Sequence, residues 1–343
     1  MDTWTVLDGT TTSPLRASVD ATGTLRADPT QDVFGWHRSA PGWCRGDACI
    51  PNFRVSDLEN DDGLDVVGFA ALAGLVTAVD PDARALATVP DAASRGRSLT
   101  GALAPELILP TVTGAPVALS SFRGTKVALV FWASWCGCRY DLGAWQERSA
   151  ALASSGFSVV TIALDTDVAS AAPWHAEAGT THPALVDVDG VAADAFDVVN
   201  VPTVVWLNEE GRIVRPQDSQ TATDTFRDWN GLSAQTSGDA LRRWVLDGDP
   251  GLTPEQVREQ LRLPSQADQF ARAETRLAGW LASAGHADAA ERHFALAAEA
   301  APHNVALRRG AMPQRGVDPF GDEYFRLATE LSEAGIPLHR PLT

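Results

Sequence analysis

One stretch of the chain, residues 127–140, constrains its fold more than any other. It reads V-A-L-V-F-W-A-S-W-C-G-C-R-Y. The apolar run 127–132 has the length and the β-branched and aromatic content of a buried strand. A helical pattern follows from about Arg139 to Ala153, and Cys136 and Cys138 lie between the two elements. The stretch therefore predicts a strand-to-helix junction that carries two thiols.

A thiol at such a junction is a candidate nucleophile. The N-terminus of a helix carries partial positive charge, which favours a thiolate over a thiol. A thiolate there reacts with disulfides, peroxides or soft metal ions. We therefore take Cys136 and Cys138 as the first candidates for catalytic residues.

The spacing of the two cysteines changes their chemistry. Residues two apart on a helix are rotated by about 200°, so Cys136 and Cys138 are not both helical and bonded to each other. We expect Cys136 before the helix and Cys138 in its first turn, with Gly137 supplying backbone freedom. A disulfide between them would be strained and oxidising. Either the site oxidises or isomerises its substrates more readily than it reduces them, or Cys136 and Cys138 form no disulfide with each other. In the second case, Cys44 or Cys49 would resolve the intermediate on Cys136.

Three segments carry a resemblance to a known family. The stretch F-W-A-S-W-C-G-C-R, residues 104–126 before it and residues 200–214 after it are similar to segments of thioredoxin-like redoxins. The similarity is to bacterial cytochrome-maturation thioredoxins and the alkyl hydroperoxide reductase–thiol-specific antioxidant superfamily, with one residue missing between the cysteines. It covers roughly residues 103–248 and implies an α/β, thioredoxin-like central domain.

The resemblance also implies roles for other residues. Trp135 is expected beside the nucleophile, as part of the docking surface for substrate. Arg139 is either a thiolate-stabilising residue or a solvated charge at the helix start. Val201 and Pro202 are expected to bind substrate, with Pro202 in the cis form and facing the cysteines. The buried acid of thioredoxin itself is replaced by Val130, so the base that activates the second thiol is not identified. There are four candidates: Asp141, Asp165, Glu147 and His182.

Within the redoxin domain the patterns predict a βαβαββα order after an opening hairpin at residues 106–119. The predicted strands and helices are 127–132, 139–153, 157–164, 168–178, 184–186, 191–196, 203–207, 212–214 and 238–246. The sheet edge at the carboxyl ends of the parallel strands is where such folds bind ligands. That edge holds Cys136.

Residues 1–100 form an N-terminal α+β extension without a recognisable fold. Its informative piece is C-R-G-D-A-C, in which Gly46 and Asp47 suit a turn that brings Cys44 and Cys49 together. We interpret this pair as a second redox site, the alternative being two small buried side chains. A closed zinc site is not expected, because only His37 lies nearby. We further predict a helix at 64–76, a strand and turn at 77–89, and a polar linker at 91–101.

Residues 251–343 have the composition and periodicity of an all-α helical region. Predicted helices cover 253–261, 266–284, 287–300 and 318–334. The middle pair has tetratricopeptide-like spacing. Two interpretations stay open: a helical hairpin packed on the redoxin domain, or a groove that binds a protein partner.

Composition excludes some classes of function. The net charge of −17 argues against nucleic acid or an anionic membrane as a partner. No apolar run approaches the roughly 18 residues of a membrane span, and the N-terminus lacks a signal-peptide pattern. We therefore expect a cytoplasmic protein, in which four cysteines indicate reactive or metal-binding thiols rather than structural disulfides.

These observations predict a thiol–disulfide oxidoreductase without a cofactor or metal site. Cys136 would attack a protein or small-molecule disulfide, Cys138 or the Cys44/Cys49 pair would resolve the intermediate, and an external thiol reductant would supply electrons. One alternative is a protein that binds soft ions such as Hg, Cu or As through thiolates. A thiol-dependent peroxidase ranks lower, because the threonine and proline that peroxiredoxins need are replaced by Ala133 and Leu129.

Overall fold

The computed structural model describes residues 1–342. Its strands, in chain order, are β1 (Asp2–Asp8), β2 (Thr11–Val19), β3 (Leu25–Ala27), β4 (His37–Ser39), β5 (Gly42–Arg45), β6 (Ala48–Pro51), β7 (Glu59–Asn60), β8 (Gly63–Asp65), β9 (Leu75–Asp80), β10 (Ala85–Pro90), β11 (Ile108–Pro110), β12 (Pro116–Ala118), β13 (Lys126–Trp132), β14 (Phe157–Ala163), β15 (Ala184–Val186), β16 (Thr203–Leu207) and β17 (Ile213–Asp218).

The α-helices are α1 (Asn52–Val55), α2 (Val66–Leu72), α3 (Ala92–Thr100), α4 (Leu142–Leu152), α5 (Val168–Glu177), α6 (Val191–Ala195), α7 (Arg227–Asn230), α8 (Ala234–Asp247), α9 (Pro254–Gln260), α10 (Gln266–Ser283), α11 (Ala287–Ala300), α12 (Val305–Gln314) and α13 (Asp322–Glu333). Short 3₁₀ turns cover Ser56–Leu58, Leu119–Phe122, Gly137–Asp141 and Ala153–Ser155. No helix within residues 1–342 has both the length and the hydropathy that crossing a bilayer requires.

The chain divides into two compact units. The first combines Met1–Ser94 with Ser265–Ala301, and the second combines Arg95–Pro264 with the residues from Pro302 onward. The helical region that we predicted as one domain, 251–343, is thus divided between both units. The reason is that α10 and α11 pack on the N-terminal sheet, as in the hydrogen bond from Gln269 Nε2 to the carbonyl of Pro90 (2.7 Å).

The second unit contains the predicted thioredoxin-like sheet. Its strand order is β15-β14-β13-β16-β17, with β13, β14 and β15 parallel and β16 antiparallel to β13. Phe131 near the end of β13 pairs with Thr203 at the start of β16. This register places the residues that follow β13 beside the residues that precede β16, so Cys136 and Pro202 meet at one sheet edge.

The central strand β13 is buried on both faces, which explains its unbroken apolar run. Leu129 and Phe131 belong to one core cluster, and Ala128 and Val130 belong to another. The second cluster includes the stacked rings of Trp206 and Trp244, whose centroids lie 4.9 Å apart. The core thus fixes β13 and, with it, the start of the cysteine-bearing loop.

Most predicted elements of the redoxin domain are confirmed within a few residues, and the differences there and in the flanking segments include three. The helix after the cysteines begins as the 3₁₀ turn Gly137–Asp141 before α4. The predicted linker at 91–101 is wrong: α3 lies there, with the Asp91 carboxylate accepting a bond from the Ser94 N–H (2.7 Å) and Leu99 buried. Helix α12 lies where we predicted none.

The first unit is built on a seven-stranded sheet in the order β7-β8-β3-β2-β1-β10-β9. The predicted helix at 64–76 is shorter, because α2 ends at Leu72 and β9 begins at Leu75. A buried polar group, here called the His293 cluster, ties α11 to β9 and α10. In it, His293 lies within 3.2 Å of Asp80 through Nε2 and makes a hydrogen bond to Glu274 through Nδ1.

Candidate active site

The two cysteines of the redoxin domain sit at the end of β13, as predicted. Cys136 has extended backbone angles and precedes the 3₁₀ turn, and Cys138 lies within the turn. The Cys138 N–H donates a hydrogen bond to the Cys136 sulfur (3.3 Å). Both thiols are free and nearly buried, with 5% and 7% of their surface exposed. Cys136 Sγ therefore occupies the place of a helix-capping acceptor, which favours its anionic form.

The two thiols differ in protonation. Burial alone would raise the pKa of Cys136, but hydrogen bonds from Cys138 and the positive charge of Arg309 together lower that pKa below its ordinary value. Burial, followed by the hydrogen bond to Cys136 and the charge of Cys136, raises the pKa of Cys138. These opposite directions favour ionisation of the Cys136 thiol over that of the Cys138 thiol.

The loop before β16 faces Cys136. The Val201–Pro202 peptide bond is cis, which confirms the prediction for Pro202. The Cys136 sulfur lies 3.6 Å from the Val201 carbonyl oxygen, and the Val201 N–H donates to the Asn200 side chain (2.8 Å). Val201 and Pro202 are both buried. The backbone at Val201 therefore lines the Cys136 sulfur.

The residues just before Cys136 are held by Asp165, which follows β14. The Ser134 N–H donates to this carboxylate (3.0 Å), and the Ser134 hydroxyl does so as well (2.5 Å). Arg139 donates from Nη1 to the Ser134 carbonyl (2.6 Å) and lies 4.1 Å over the Trp174 ring. The half-buried guanidinium of Arg139 thus holds the loop before Cys136, and the two predicted roles of Arg139 stay predictions.

Of the candidate bases, none is hydrogen-bonded to either thiol. The Asp141 carboxylate is buried and accepts three hydrogen bonds: from the Thr221 hydroxyl (2.7 Å), the Ala222 N–H (3.1 Å) and the Thr223 hydroxyl. His182 bonds to Gln146, and Glu147 is exposed. The charge of Asp141 opposes the net lowering of the Cys136 pKa, and it adds to burial in raising the pKa of Cys138.

The C-terminal segment, residues 302–342, contributes residues to this site that the sequence reasoning missed. The Ala306 N–H of α12 donates to the Val199 carbonyl (2.8 Å), and Asn200 donates from its side chain to the Leu338 carbonyl. Arg309 lies 5.9 Å over the Trp135 ring. Trp135 is consequently only 5% exposed, so it lies under α12 rather than on an open docking surface.

Gly137 is required by space rather than by backbone freedom. Its φ is not positive, contrary to the expectation that it supplies unusual angles. A Cβ at this position would lie 2.7 Å from Phe226 Cε2 and 2.8 Å from Phe226 Cζ. The absence of a side chain at position 137 therefore lets the Phe226 ring close against the two-cysteine turn.

The other predicted pair, Cys44 and Cys49, lies in the first unit. The two residues face each other across the β5–β6 hairpin and form a disulfide, and Gly46 in the intervening turn has φ +57°. The predicted turn at Gly46 and Asp47 is therefore confirmed. Whether this disulfide exchanges with the Cys136 site stays a prediction.

The fold and the two-thiol site define a thioredoxin-like redoxin. Residues 100–215 match the model of the AhpC/TSA family. The thioredoxin-like protein YneN of Bacillus subtilis is 33% identical over 132 residues, covering 37% of this chain and 75% of YneN. The thiol-disulfide oxidoreductase ResA of the same organism is 26% identical over 141 residues, covering 40% of this chain and 79% of ResA. This chain belongs to the AhpC/TSA family of thioredoxin-like redoxins, and it is a thiol–disulfide oxidoreductase.

A solved structure shows a further similarity. The thioredoxin domain of a thiol-disulfide oxidoreductase from Bacteroides vulgatus is 20% identical, with a TM-score of 0.35, and the match covers 42% of this chain and 96% of that domain. The first unit and the C-terminal segment lie outside the residues that match the family model.

Proposed function

We propose that this enzyme exchanges disulfides through Cys136, with Cys138 as its resolving thiol. The observation that carries the proposal is the asymmetry of the pair. The Cys136 sulfur caps the turn and accepts the Cys138 N–H at 3.3 Å, whereas burial and the neighbouring Cys136 keep the Cys138 thiol protonated. The pair therefore combines an attacking thiolate, Cys136, with a protonated thiol, Cys138.

The reaction follows from these states. The Cys136 thiolate attacks one sulfur of a substrate disulfide, the substrate S–S bond breaks, and the leaving thiolate takes a proton from solvent. The Cys138 thiol then loses its proton and attacks Cys136 Sγ. The mixed disulfide breaks, the second substrate thiol leaves, and a Cys136–Cys138 disulfide remains. Two electrons from an external dithiol return the enzyme to its reduced state.

A turnover assay tests this assignment. A labelled peptide disulfide would serve as substrate, and dithiothreitol would serve as the electron donor. We expect Cys136→Ser to reduce turnover to background and Cys138→Ser to allow the first half-reaction alone. The double variant Cys44→Ser/Cys49→Ser is the matched control and should keep turnover. Its loss of turnover would instead support a relay through the first unit, the alternative resolving route.

The soft-ion alternative has less support. Cys44 and Cys49 are joined in a disulfide, so two of the four thiols are not available as ligands in this structure. Among residues 1–342, no three histidine, cysteine or carboxylate side chains are grouped as a ligand set. Metal analysis of protein purified under reducing conditions tests the alternative, and stoichiometric Hg, Cu or As would favour it.

Substrate, partner and location are also proposals. We propose a protein or small-molecule disulfide as substrate, and a protein partner for the α10–α11 hairpin, which pull-down with α10 and α11 surface variants would test. A cytoplasmic location is proposed from the sequence. The Cys44–Cys49 bond is of a type that persists in oxidising compartments. Cell fractionation decides between the two environments.

A further inference from the structure

Helix α12 brings a buried arginine to the redox site. Arg309 is 5% exposed, and its Nε donates to the Pro319 carbonyl (3.0 Å). The guanidinium lies over three aromatic rings, 3.7 Å from the centroid of Tyr324, 5.1 Å from that of Phe320 and 5.9 Å from that of Trp135. Trp135 directly precedes Cys136, so the charged end of Arg309 is held against the cysteine loop.

This cation lacks an acidic partner in the part of the chain that the structure describes. None of the ion pairs within residues 1–342 includes Arg309, although neighbouring Arg308 pairs with Glu330 at 2.8 Å. A buried charge without a counter-charge is costly, and arginine cannot relieve the cost by losing its proton. An anion beside Arg309 would offset that cost.

We infer that Arg309 is the counter-cation of the Cys136 thiolate, a positioning residue supplied by the C-terminal segment. The inference rests on the proposed role of Cys136 as the attacking thiol. Arg309 lies outside residues 100–215, so this counter-cation comes from a part of the chain that the family model does not match. The positive charge of Arg309 contributes to lowering the pKa of Cys136, in agreement with this role.

The groups that face the Cys136 sulfur have opposing effects. Cys138 donates to it from the same turn, and the charge of Asp141 opposes thiolate formation. The Val201 carbonyl faces it from the loop before β16. On α13, burial raises the pKa of the Tyr324 hydroxyl, the charge of Arg309 opposes that shift, and both thiols add to it. Arg309 is the residue among them that brings a full positive charge.

The rate of Cys136 alkylation by iodoacetamide, followed by peptide mass spectrometry from pH 5 to 10, tests the inference. Arg309→Gln should raise the apparent pKa of Cys136 by about one unit, since an opposite charge nearby shifts a pKa by about one to three units. That change means about tenfold slower alkylation at neutral pH. Arg309→Lys keeps the charge and should recover most of the shift. Arg326→Gln removes an exposed charge on α13 and should leave the profile unchanged.

The Cys136–Cys138 redox equilibrium is a second measurement. Destabilising the reduced, thiolate form tenfold corresponds to a potential about 30 mV more negative in Arg309→Gln. An unchanged alkylation profile and potential in folded Arg309→Gln would overturn the inference, as would a rate loss equal at every pH. If Arg309→Gln does not fold, Arg309→Met fills the aromatic site without charge and has the same expected direction. Alkylation requires no exchange activity, so a failure here is separate from a failure of the proposed function.

Discussion

Replacing Asp141 is the sharpest test of how the active-site turn is held. Its carboxylate joins the turn to residues 221–223 through three hydrogen bonds. In Asp141→Ala the two threonine hydroxyls keep second partners, the Thr223 carbonyl (2.7 Å) and the Thr225 hydroxyl (2.9 Å). The Ala222 N–H keeps no other acceptor among residues 1–342. A buried donor that is left without an acceptor lowers the free energy of unfolding by about 1–3 kcal/mol. Each hydrogen bond to a charged group contributes about 1.5–3 kcal/mol to that free energy.

Allowing for the hydroxyls that pair again, we expect Asp141→Ala to lower the free energy of unfolding of the redoxin domain by about 3 kcal/mol. Urea unfolding with hydrogen exchange of α4 peptides measures it. Asp228→Ala is the control, because Asp228 is an exposed residue of the nearby helix α7 and should change stability by less than about 0.5 kcal/mol. Equal stability of the Asp141→Ala variant and the wild type would mean that these three hydrogen bonds do not hold the turn.

The same residue separates a structural role from a catalytic one. Asp141→Asn removes a negative charge that opposes the lowering of the Cys136 pKa, so alkylation of Cys136 at neutral pH should become faster. A proton acceptor for Cys138 would behave differently. In that case the resolving step would slow while the pKa of Cys136 stayed in place.

Three further predictions follow from particular contacts. Gly137→Ala should destabilise the site by about 1 kcal/mol through its clash with Phe226, and the effect should vanish in a Phe226→Ala background, as a double-mutant cycle measures. Trp244→Ala should cost about 3–5 kcal/mol of unfolding free energy, because it empties a buried site stacked on Trp206. The hydrogen bond to Glu274, opposed by burial and helped by Asp80, raises the pKa of His293. The stability that His293 adds is therefore complete below the pKa of an unfolded histidine, about 6.5. It is lost as pH rises through the raised pKa of the folded state. The Tm values of His293→Asn and the wild type should therefore converge at alkaline pH.

Each of these has a contradicting result. Equal losses for Gly137→Ala with and without Phe226 would show that the ring is not the obstacle. A Trp244→Ala protein with wild-type stability would mean that the stacked pair can collapse without cost. A stability difference between wild type and His293→Asn that grows as pH rises would mean that the pKa of His293 is lowered in the folded state, not raised.

What the sequence predicted correctly depends on local pattern. Continuous apolar residues marked β13 as buried on both faces, and the two-residue spacing placed Cys136 before the turn and Cys138 within it. The cis form of Pro202 followed from the resemblance. Each of these features is determined by a short segment of sequence, and periodicity and motifs describe short segments.

What the sequence did not predict depends on contacts between distant segments. Helix α12 includes Gly310 and Pro313, two residues that usually interrupt helices, and this hid the element that carries Arg309. The cover over Trp135 comes from residues more than a hundred positions away. The reason for Gly137 is likewise a distant ring, that of Phe226, and not its own backbone.

The central claim is that Cys136 attacks and Cys138 resolves, and trapping the intermediate tests it most directly. Cys138→Ser and Cys136→Ser would each be incubated with oxidised glutathione, blocked with acid and mapped by mass spectrometry. We expect a glutathione adduct on Cys136 in Cys138→Ser and little adduct on Cys138 in Cys136→Ser. An adduct on Cys138 in preference to Cys136, or a bond from Cys136 to Cys44 or Cys49, would contradict it.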